Sequence, residues 1–276
     1  MQYRPFGLTG LQVPMIGQGT WEMEADPRAA VAALRHGLDL GMTHVDTAEM
    51  YGSGRVEEIV GEAIAGRRDE VFLATKVLPS NATRRGTVEA CERSLKRLGT
   101  DHVDLYLLHY PSRYPLRDTV AGFQELVAAG KIRFWGVSNF DADELEQAAS
   151  LGGPGAVACD QVLYHLQERR VEHEVLPASE RIGAALVAYS PFGQGKFPSG
   201  NPVLQRLAQA RGVGPGEIAL AFLTRQRGVF AIPKASRLEH VEANARAGDI
   251  VLGDEEIAAI EEAFPLAKPR RGVPTL

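Results

Sequence analysis

Several features that would assign a protein to a particular class are scarce or missing in this sequence of 276 residues. It has only two cysteines, Cys91 and Cys159, both within apolar patterns, and we expect reduced, packed thiols rather than a disulfide. No apolar run approaches the roughly 18 residues of a membrane-spanning helix. The N-terminal segment has no apolar core of the signal-peptide kind. The expectation is a cytoplasmic protein with no membrane partner.

Excess positive charge is also missing. Lys and Arg total 30 against 35 Asp and Glu, which gives a formal net charge of −5. Nucleic-acid-binding proteins depend on clustered basic residues, so this balance argues against a nucleic-acid partner. The length lies within the range of one α/β barrel, and no linker or composition break divides the chain. We therefore expect a single domain over residues 1–276.

What the sequence does contain is an alternation of short apolar runs with amphipathic helical segments. The apolar runs are residues 15–21, 43–48, 71–77, 103–109, 134–140, 156–164, 185–192 and 229–236. Eight strand–helix units predict a (β/α)8 TIM barrel of the α/β class. The alternative is an open, doubly wound sheet, but its GxGxxG turn is missing, as is the phosphate-binding GxxxxGK[ST] pattern.

Capping residues mark several helix ends. Asp26 before a proline, Thr83, and Asp141 with a glutamate three residues later are typical N-terminal signals. Glycines typical of left-handed C-caps follow four helical patterns, at Gly41, Gly66, Gly99 and Gly130. The first residues predict a small β-hairpin that turns at Thr9-Gly10 and plugs the floor of the barrel.

Ionisable side chains stand at the ends of three consecutive predicted strands, where barrel enzymes place their chemistry. Asp46 ends the second run, with Tyr51 on the following loop, Lys76 ends the third, and His109 ends the fourth. Buried charges are costly unless paired, so we expect Asp46 and Lys76 to be partners. This pair can also be purely structural. Considered one at a time, Lys76 is typical of a surface residue, His109 of a core residue and Tyr51 of an aromatic that packs.

Taken together, the four groups fit proton transfer. A nearby ammonium favours a phenolate, and lowering the pKa of Tyr51 by about two units requires about 2.7 kcal/mol from Lys76. Asp46 would keep the lysine charged, and His109 would hydrogen-bond the substrate oxygen or the phenol. Such a set donates a proton to a carbonyl oxygen as it gains negative charge. It contains no hydride source, which predicts a cofactor.

The later strands carry residues suited to such a cofactor. Ser138, Asn139 and Gln161 offer hydrogen bonds to a carboxamide, and Tyr189 offers a flat face to a nicotinamide ring. Two cations near a helix start, Lys234 and Arg237, suit an anion such as a 2′-phosphate. The end of the seventh strand, Ser190, Pro191 and Phe192, also belongs to this predicted cofactor surface. The GQGK turn after it supplies flexible backbone and one cation near a pyrophosphate, through Gly193, Gln194, Gly195 and Lys196.

These segments resemble the aldo-keto reductase family. The matching stretches, in the family's order, are GQGTW (17–21), HVDTAEMYGSG (44–54), ATK (74–76), LYLLH (105–109), GVSNF (136–140), YSPF (189–192) and IPKAS (232–236). The resemblance implies a (β/α)8 barrel that reversibly reduces aldehydes and ketones with NADPH, and it favours a monomer. It implies that Asp46 and Lys76 tune Tyr51, the proton donor, and that His109 orients the carbonyl. It implies cofactor contacts from the residues above and from Gly19, Thr20, Trp21, Ile232, Lys234, Ala235, Ser236, Arg237, His240 and Asn244.

The adenosine end of the cofactor site departs from the family pattern. Family members often carry Arg and Glu just before the final Asn, whereas His240 and Ala243 precede Asn244 here. Histidine is a weaker anion partner than arginine at neutral pH, and Arg237 is expected to compensate. We therefore predict NADPH as the preferred cofactor, with NADH as a weaker or dual one.

The substrate is expected to be a small carbonyl compound. The resemblance implies that the C-terminal tail and the loops after the first and fourth strands shape the substrate pocket. The short tail predicts an open, permissive pocket with Trp21 and Tyr110 as wall residues. The natural carbonyl is not predicted.

Two other functions are open at this point. A cofactor-binding sensor or regulatory subunit on the same scaffold would share these residues and differ only in turnover. A metal-dependent barrel hydrolase would need converging His and carboxylate ligands, often an HxH after the first strand. The sequence contains no HxH, so no metal site is predicted.

Overall fold

Parallel strands form the centre of the molecule, in a computed structural model that describes residues 1–270 and 272–275. A separate two-stranded hairpin precedes them. The hairpin strands are β1 (Tyr3–Pro5) and β2 (Gln12–Pro14), and the central strands are β3 (Gln18–Gly19), β4 (His44–Asp46), β5 (Phe72–Val77), β6 (Val103–Leu108), β7 (Ile132–Ser138), β8 (Val157–Leu163), β9 (Ala185–Tyr189) and β10 (Val229–Ala231).

The central sheet closes into a barrel. Each strand from β3 to β10 pairs in parallel with the next along the chain. Parallel bridges from Ile16 to Ala231 and from Gly19 to Lys234 join the first strand to the last. The strands are buried on both faces, which explains why their sequences are almost continuously apolar. The predicted (β/α)8 barrel is confirmed.

Helices surround the barrel. They are α1 (Pro27–Asp39), α2 (Arg55–Ile64), α3 (Arg84–Leu98), α4 (Leu116–Ala128), α5 (Ala142–Gly152), α6 (Val175–Ile182), α7 (Pro202–Arg211), α8 (Pro215–Leu223), α9 (Leu238–Ala247) and α10 (Asp254–Ala263). The predicted caps are confirmed: the side chains of Asp26, Thr83 and Asp141 each accept a hydrogen bond from a backbone N–H of the first turn. Among the residues that are described, no helix is long and apolar enough to cross a membrane.

The N-terminal hairpin plugs the floor of the barrel, as predicted. Strands β1 and β2 pair antiparallel, and the hydrogen-bonded turn between them runs from Phe6 to Thr9, two residues before the predicted Thr9-Gly10. Phe6 follows β1 and is fully buried, with its ring centroid 5.0 Å from that of Phe72 and 4.9 Å from that of Phe230. The hairpin therefore completes the core at the end opposite to the predicted site.

Several strands end earlier than the apolar runs predict. The run 185–192 yields a strand that ends at Tyr189, and the run 229–236 yields one that ends at Ala231. The remaining residues leave the sheet and form rim loops. Asn139 and Ser190, just beyond β7 and β9, adopt left-handed backbone conformations with φ of 63° and 48°. The apolar runs thus continue into the loops that carry the site.

Candidate active site

Four predicted residues meet at the carboxyl end of the barrel. Lys76 lies in β5, and its Nζ is 2.6 Å from Asp46 Oδ1, 2.8 Å from the carbonyl oxygen of Thr47 and 3.3 Å from the Tyr51 hydroxyl. An ammonium has three donors, and all three have acceptors here. The side chains of Lys76 and Asp46 are 0% and 1% exposed. The predicted ion pair is present and fully desolvated.

The protonation states follow from burial and from this pair. Burial lowers the pKa of Lys76, but Asp46 and Tyr51 together raise it by more, so the lysine stays charged. Burial raises the pKa of Tyr51 by more than Lys76 lowers it. The expectation that Lys76 would bring this pKa below its ordinary value is therefore wrong. The physical reason for the difference is that the site excludes water as well as supplying a cation. Loss of water disfavours the charged phenolate, so Tyr51 keeps its proton.

His109 follows β6 directly and is a neutral imidazole. Burial, with a smaller effect from Lys76, lowers the pKa of His109 to about 2. Its Nδ1 is buried and has no hydrogen-bond partner among the described residues. The ring meets the Tyr51 ring at a centroid distance of 5.8 Å and stacks on Tyr110 at 4.9 Å. His109 thus contacts the phenol ring and makes no hydrogen bond to the phenol oxygen.

Two buried glutamates that were not predicted brace the loop that carries Tyr51 and the helix α2 that follows it. Glu49 Oε1 accepts hydrogen bonds from the Leu78 N–H at 2.7 Å and from Asn81 Nδ2 at 2.9 Å. Glu57 is fully buried and accepts from Thr75 Oγ1 at 2.6 Å. Glu49 lies inside the HVDTAEMYGSG segment, but nothing in the local sequence pattern shows that the fold buries it. Glu49 thus ties the loop to the residues after β5, and Glu57 ties α2 to β5.

Glycine backbone makes the tight turn after Tyr51 feasible. Gly52 and Gly54 adopt φ of 53° and 93°. A Cβ on Gly54 would lie 2.7 Å from the Arg97 side chain, which passes directly beside it.

The indole of Trp21 meets the phenol ring of Tyr51 edge-on, with centroids 5.3 Å apart. The phenol is thus held by the loop beneath it and by aromatic contacts above it.

The amides and hydroxyls predicted to bind a carboxamide also come together. Asn139 Nδ2 donates to the His109 carbonyl and to Ser138 Oγ, both at 3.0 Å, and its Oδ1 accepts from the Tyr189 hydroxyl at 2.7 Å. Ser138 Oγ donates to the Gln161 carbonyl at 2.8 Å. Gln161 Nε2 donates to Asp46 Oδ2 at 2.8 Å. The amide of Gln161 therefore contacts the ion pair directly, which the sequence did not predict.

A cavity of about 760 Å³ opens above these groups. Glu22, which was not predicted, also lines it and has a left-handed backbone with φ of 58°. The predicted residues in its wall are Gly19, Thr20, Trp21, Asp46, Tyr51, His109, Tyr110, Ser138, Asn139, Gln161, Tyr189, Ser190, Pro191, Phe192, Gln194, Gly195, Ile232 and Lys234.

Other predicted residues lie beneath or beyond this cavity wall. Lys76 is buried below it. Arg237 precedes α9, donates to His240 Nε2, and lies 3.2 Å from the Glu239 carboxylate. Glu239, which was not predicted, thus competes for the arginine. The remaining predicted residues outside the wall are Gly193, Lys196, Ala235, Ser236 and Asn244.

The donor set fits a nicotinamide dinucleotide. One wall of the cavity carries the amides and hydroxyls that a carboxamide needs, and Tyr189 supplies an aromatic face beside them. Lys234 adds a cation that suits a phosphate. Within residues 1–270 and 272–275, no group of three or more His, Cys, Asp or Glu side chains is placed to hold a metal ion.

Comparison with known proteins gives one consistent picture. The model of the aldo/keto reductase family matches residues 15–264. The methylglyoxal reductase YeaE of Escherichia coli (strain K12) is 42% identical over 276 residues, covering 97% of each chain.

Solved structures of aldo-keto reductases are also similar to this chain. An aldo/keto reductase from Klebsiella pneumoniae in complex with NADP and acetate is 42% identical, with a TM-score of 0.94 over 100% of both chains. The thermostable aldo-keto reductase Tm1743 in complex with the inhibitor epalrestat is 38% identical, with a TM-score of 0.90, covering 95% of this chain and 100% of that one.

Proposed function

This chain belongs to the aldo/keto reductase family of oxidoreductases, and from that premise we propose that it reduces aldehydes and ketones to alcohols with NADPH, Tyr51 donating the proton. The observation that carries this proposal is the hydrogen-bonded set of Asp46, Lys76 and Tyr51 at the base of a cavity that Ser138, Asn139 and Gln161 also line. The alcohol-forming step needs both a hydride and a proton, and a cofactor bound in this cavity would bring the hydride close to Tyr51.

NADPH would lie along the cavity. Ser138, Asn139 and Gln161 would hold its carboxamide, and Tyr189 would stack on its nicotinamide ring. When bound, NADPH supplies the hydride for the carbonyl carbon. The Klebsiella relative binds NADP, which supports this choice of cofactor. Lys234 and Arg237 would contact the phosphates, and NADH would serve as a weaker cofactor.

Tyr51 would donate its proton to the carbonyl oxygen. Lys76 donates a hydrogen bond to the phenol oxygen, so the phenol's own O–H is free to point into the cavity. Burial raises the pKa of Tyr51, which keeps this proton in place until negative charge develops on the substrate. The buried ammonium then stabilises the phenolate that remains.

His109 would orient the substrate. Its pKa of about 2 keeps the imidazole neutral across the physiological range, so it serves as a hydrogen-bond donor and not as a charge. Trp21 and Tyr110 line the same end of the cavity and would form the apolar wall against the substrate. Such a wall suits small aldehydes and ketones, and methylglyoxal, the substrate named for the E. coli relative, is the first to test.

The experiment is a carbonyl panel with purified protein. We expect NADPH oxidation with methylglyoxal and with 4-nitrobenzaldehyde, and slower oxidation with NADH. In the same assay the Tyr51→Phe variant tests the proposed proton donor. Tyr110→Phe is its matched control, because it removes a different phenol from the same cavity. Tight NADPH binding without turnover on any carbonyl would contradict the proposal and favour a cofactor-binding sensor.

A further inference from the structure

Gln161 and Asp46 make a contact that crosses the barrel. Gln161 lies in β8 and Asp46 at the end of β4, 115 positions away in the chain and four strands away around the sheet. The Nε2 to Oδ2 distance is 2.8 Å, and the two residues are 2% and 1% exposed. A short hydrogen bond between desolvated groups is much stronger than one in water.

The orientation of the Gln161 amide follows from its partner. A carboxylate only accepts hydrogen bonds, so the NH2 group of the amide must face Asp46. Oε1 then lies on the other side and accepts no hydrogen bond from the described residues. Since Gln161 lines the cavity, this oxygen is available to a ligand N–H. One amide thus contacts both the cofactor cavity and the ion pair.

Asp46 is held from two sides. Lys76 donates to Oδ1 and Gln161 donates to Oδ2, so both oxygens have charge-assisted partners. The second contact restrains the orientation of the carboxylate, and the carboxylate in turn contacts the ammonium that lies 3.3 Å from the Tyr51 hydroxyl. Without it, Oδ2 would be a buried acceptor with no partner in this position.

Resting on the proposed function, we propose that Gln161 is a positioning residue of the proton-transfer site, whose NH2 group holds Asp46 against Lys76 and thereby sets the acidity of Tyr51. Gln161 does not touch the phenol and acts through the ion pair. The cofactor carboxamide and the proton donor are then linked through a single side chain.

The direction of the effect follows from the charges around the phenol. Tyr51 faces Lys76 from β5, Asp46 from β4, and His109 and Tyr110 from the loop after β6. Asp46 raises the pKa of Tyr51, and an N–H donor at Oδ2 withdraws part of that negative charge. Its removal should raise the pKa further. In alcohol oxidation the phenolate is the proton acceptor, so the reaction should need higher pH.

The test is the pH profile of alcohol oxidation with NADP⁺ in the Gln161→Met variant, which keeps the side-chain length and removes the donor. We expect the rising limb of the pH profile of kcat to shift by about one unit towards higher pH. At neutral pH this shift is about a tenfold loss of kcat. Gln18→Met is the matched control, because this buried amide donates only to the backbone oxygens of Leu34 and Met42. We expect its profile to be unshifted.

A binding measurement separates positioning from simple cofactor binding. Quenching of tryptophan fluorescence gives the Kd of NADP⁺ for the same variants. A weaker Kd with an unshifted pH profile would overturn the proposal, because Gln161 would then act on the cofactor alone.

Exchanging donor and acceptor tests the contact between Gln161 and Asp46 in a measurement that does not depend on catalytic turnover. Gln161→Glu places two carboxylates together, Asp46→Asn removes one, and the double variant restores a hydrogen bond with donor and acceptor exchanged. We expect the urea midpoint of the double variant to exceed that of Gln161→Glu, and additive effects would overturn the contact. Wild-type protein inactive on every carbonyl and alcohol would instead contradict the proposed function, while the urea result still reports on Gln161 and Asp46.

Discussion

The two ends of the proposed cofactor site, the reactive end inside the cavity and the far end beyond the cavity wall, differ in how their charges are held. At the reactive end, Lys76 and Asp46 are fully desolvated and every lysine donor has an acceptor. At the far end, the side chains of Arg237 and Glu239 are 66% and 68% exposed and lie 3.2 Å apart. Electrostatic interactions are strong when water is excluded and weak when it screens them. The reactive end should therefore be rigid and sensitive to change, and the far end adjustable.

The largest expected effect is at Tyr51, the proposed proton donor. Tyr51→Phe removes the hydroxyl and leaves the ring contacts with Trp21 and His109. We expect kcat for carbonyl reduction to fall about 100- to 10,000-fold, with the Kd of NADPH changed by less than about threefold. Steady-state kinetics and fluorescence titration measure the two quantities. A variant that retained most of its kcat would remove Tyr51 from the proton-donor role.

The next effect concerns the stability of the reactive end. Lys76→Met leaves the Asp46 carboxylate buried without its cation, which should lower the free energy of unfolding by about 3–5 kcal/mol. Lys234→Met, at an exposed position in the same cavity, should change it by less than about 0.5 kcal/mol. Urea denaturation of both variants measures the contrast. Equal losses of unfolding free energy in the two variants would contradict the expected difference between a buried and an exposed lysine.

A pH dependence of stability should also come from the reactive end. His109 is neutral in the folded protein, with a pKa of about 2, whereas an unfolded histidine has a pKa of about 6.5. Between these values the unfolded state binds more protons, so stability falls as pH falls below about 6.5, by about 1.4 kcal/mol per pH unit. His109→Phe should reduce this slope in urea unfolding between about pH 6.5 and 5. An unchanged slope would show that His109 is protonated in the folded state.

Other groups can contribute to the same slope. His44 lies inside the barrel against Phe6 and Phe72, and burial lowers its pKa to about 4. Its contribution to stability is likewise lost as pH falls from about 6.5 towards 4. The His44→Phe variant separates it from that of His109.

The smallest expected effects lie at the far end. Arg237→Ala should raise the Kd of NADPH about tenfold and that of NADH less than about twofold, because only NADPH carries the 2′-phosphate. Glu239→Gln should act in the opposite direction, lowering the Kd of NADPH a few-fold, since the arginine loses its competing acid. Titration of both cofactors measures these changes. Equal effects on NADPH and NADH would remove Arg237 from a 2′-phosphate site.

Local sequence signals predicted most of the fold. Caps at Asp26, Thr83 and Asp141 depend on side chains within one helical turn, so they can be read without tertiary information. The barrel followed from the number and order of apolar runs. Strand ends were less well predicted, because the residues of the rim loops are as apolar as the strands before them.

The sequence predicted most of the residues that line the cavity, but not the energetics of the site. Asp46, Lys76 and His109 could be brought together because parallel strands end at the same rim of a barrel. The bracing glutamates, Glu49 and Glu57, were missed, since nothing in the local pattern shows which acids the fold buries. The pKa of Tyr51 was predicted in the wrong direction for the same reason.

The sequence by itself determined the order of strands and helices, the helix caps and the identity of the ionisable residues at the strand ends, because each depends on neighbours along the chain. Tertiary structure decided which of these residues are desolvated and which partners they have. The Gln161 to Asp46 hydrogen bond spans the barrel, and only closure of the sheet brings its two ends together. Burial, which raises the pKa of Tyr51, is likewise a property of the closed barrel and of no single segment.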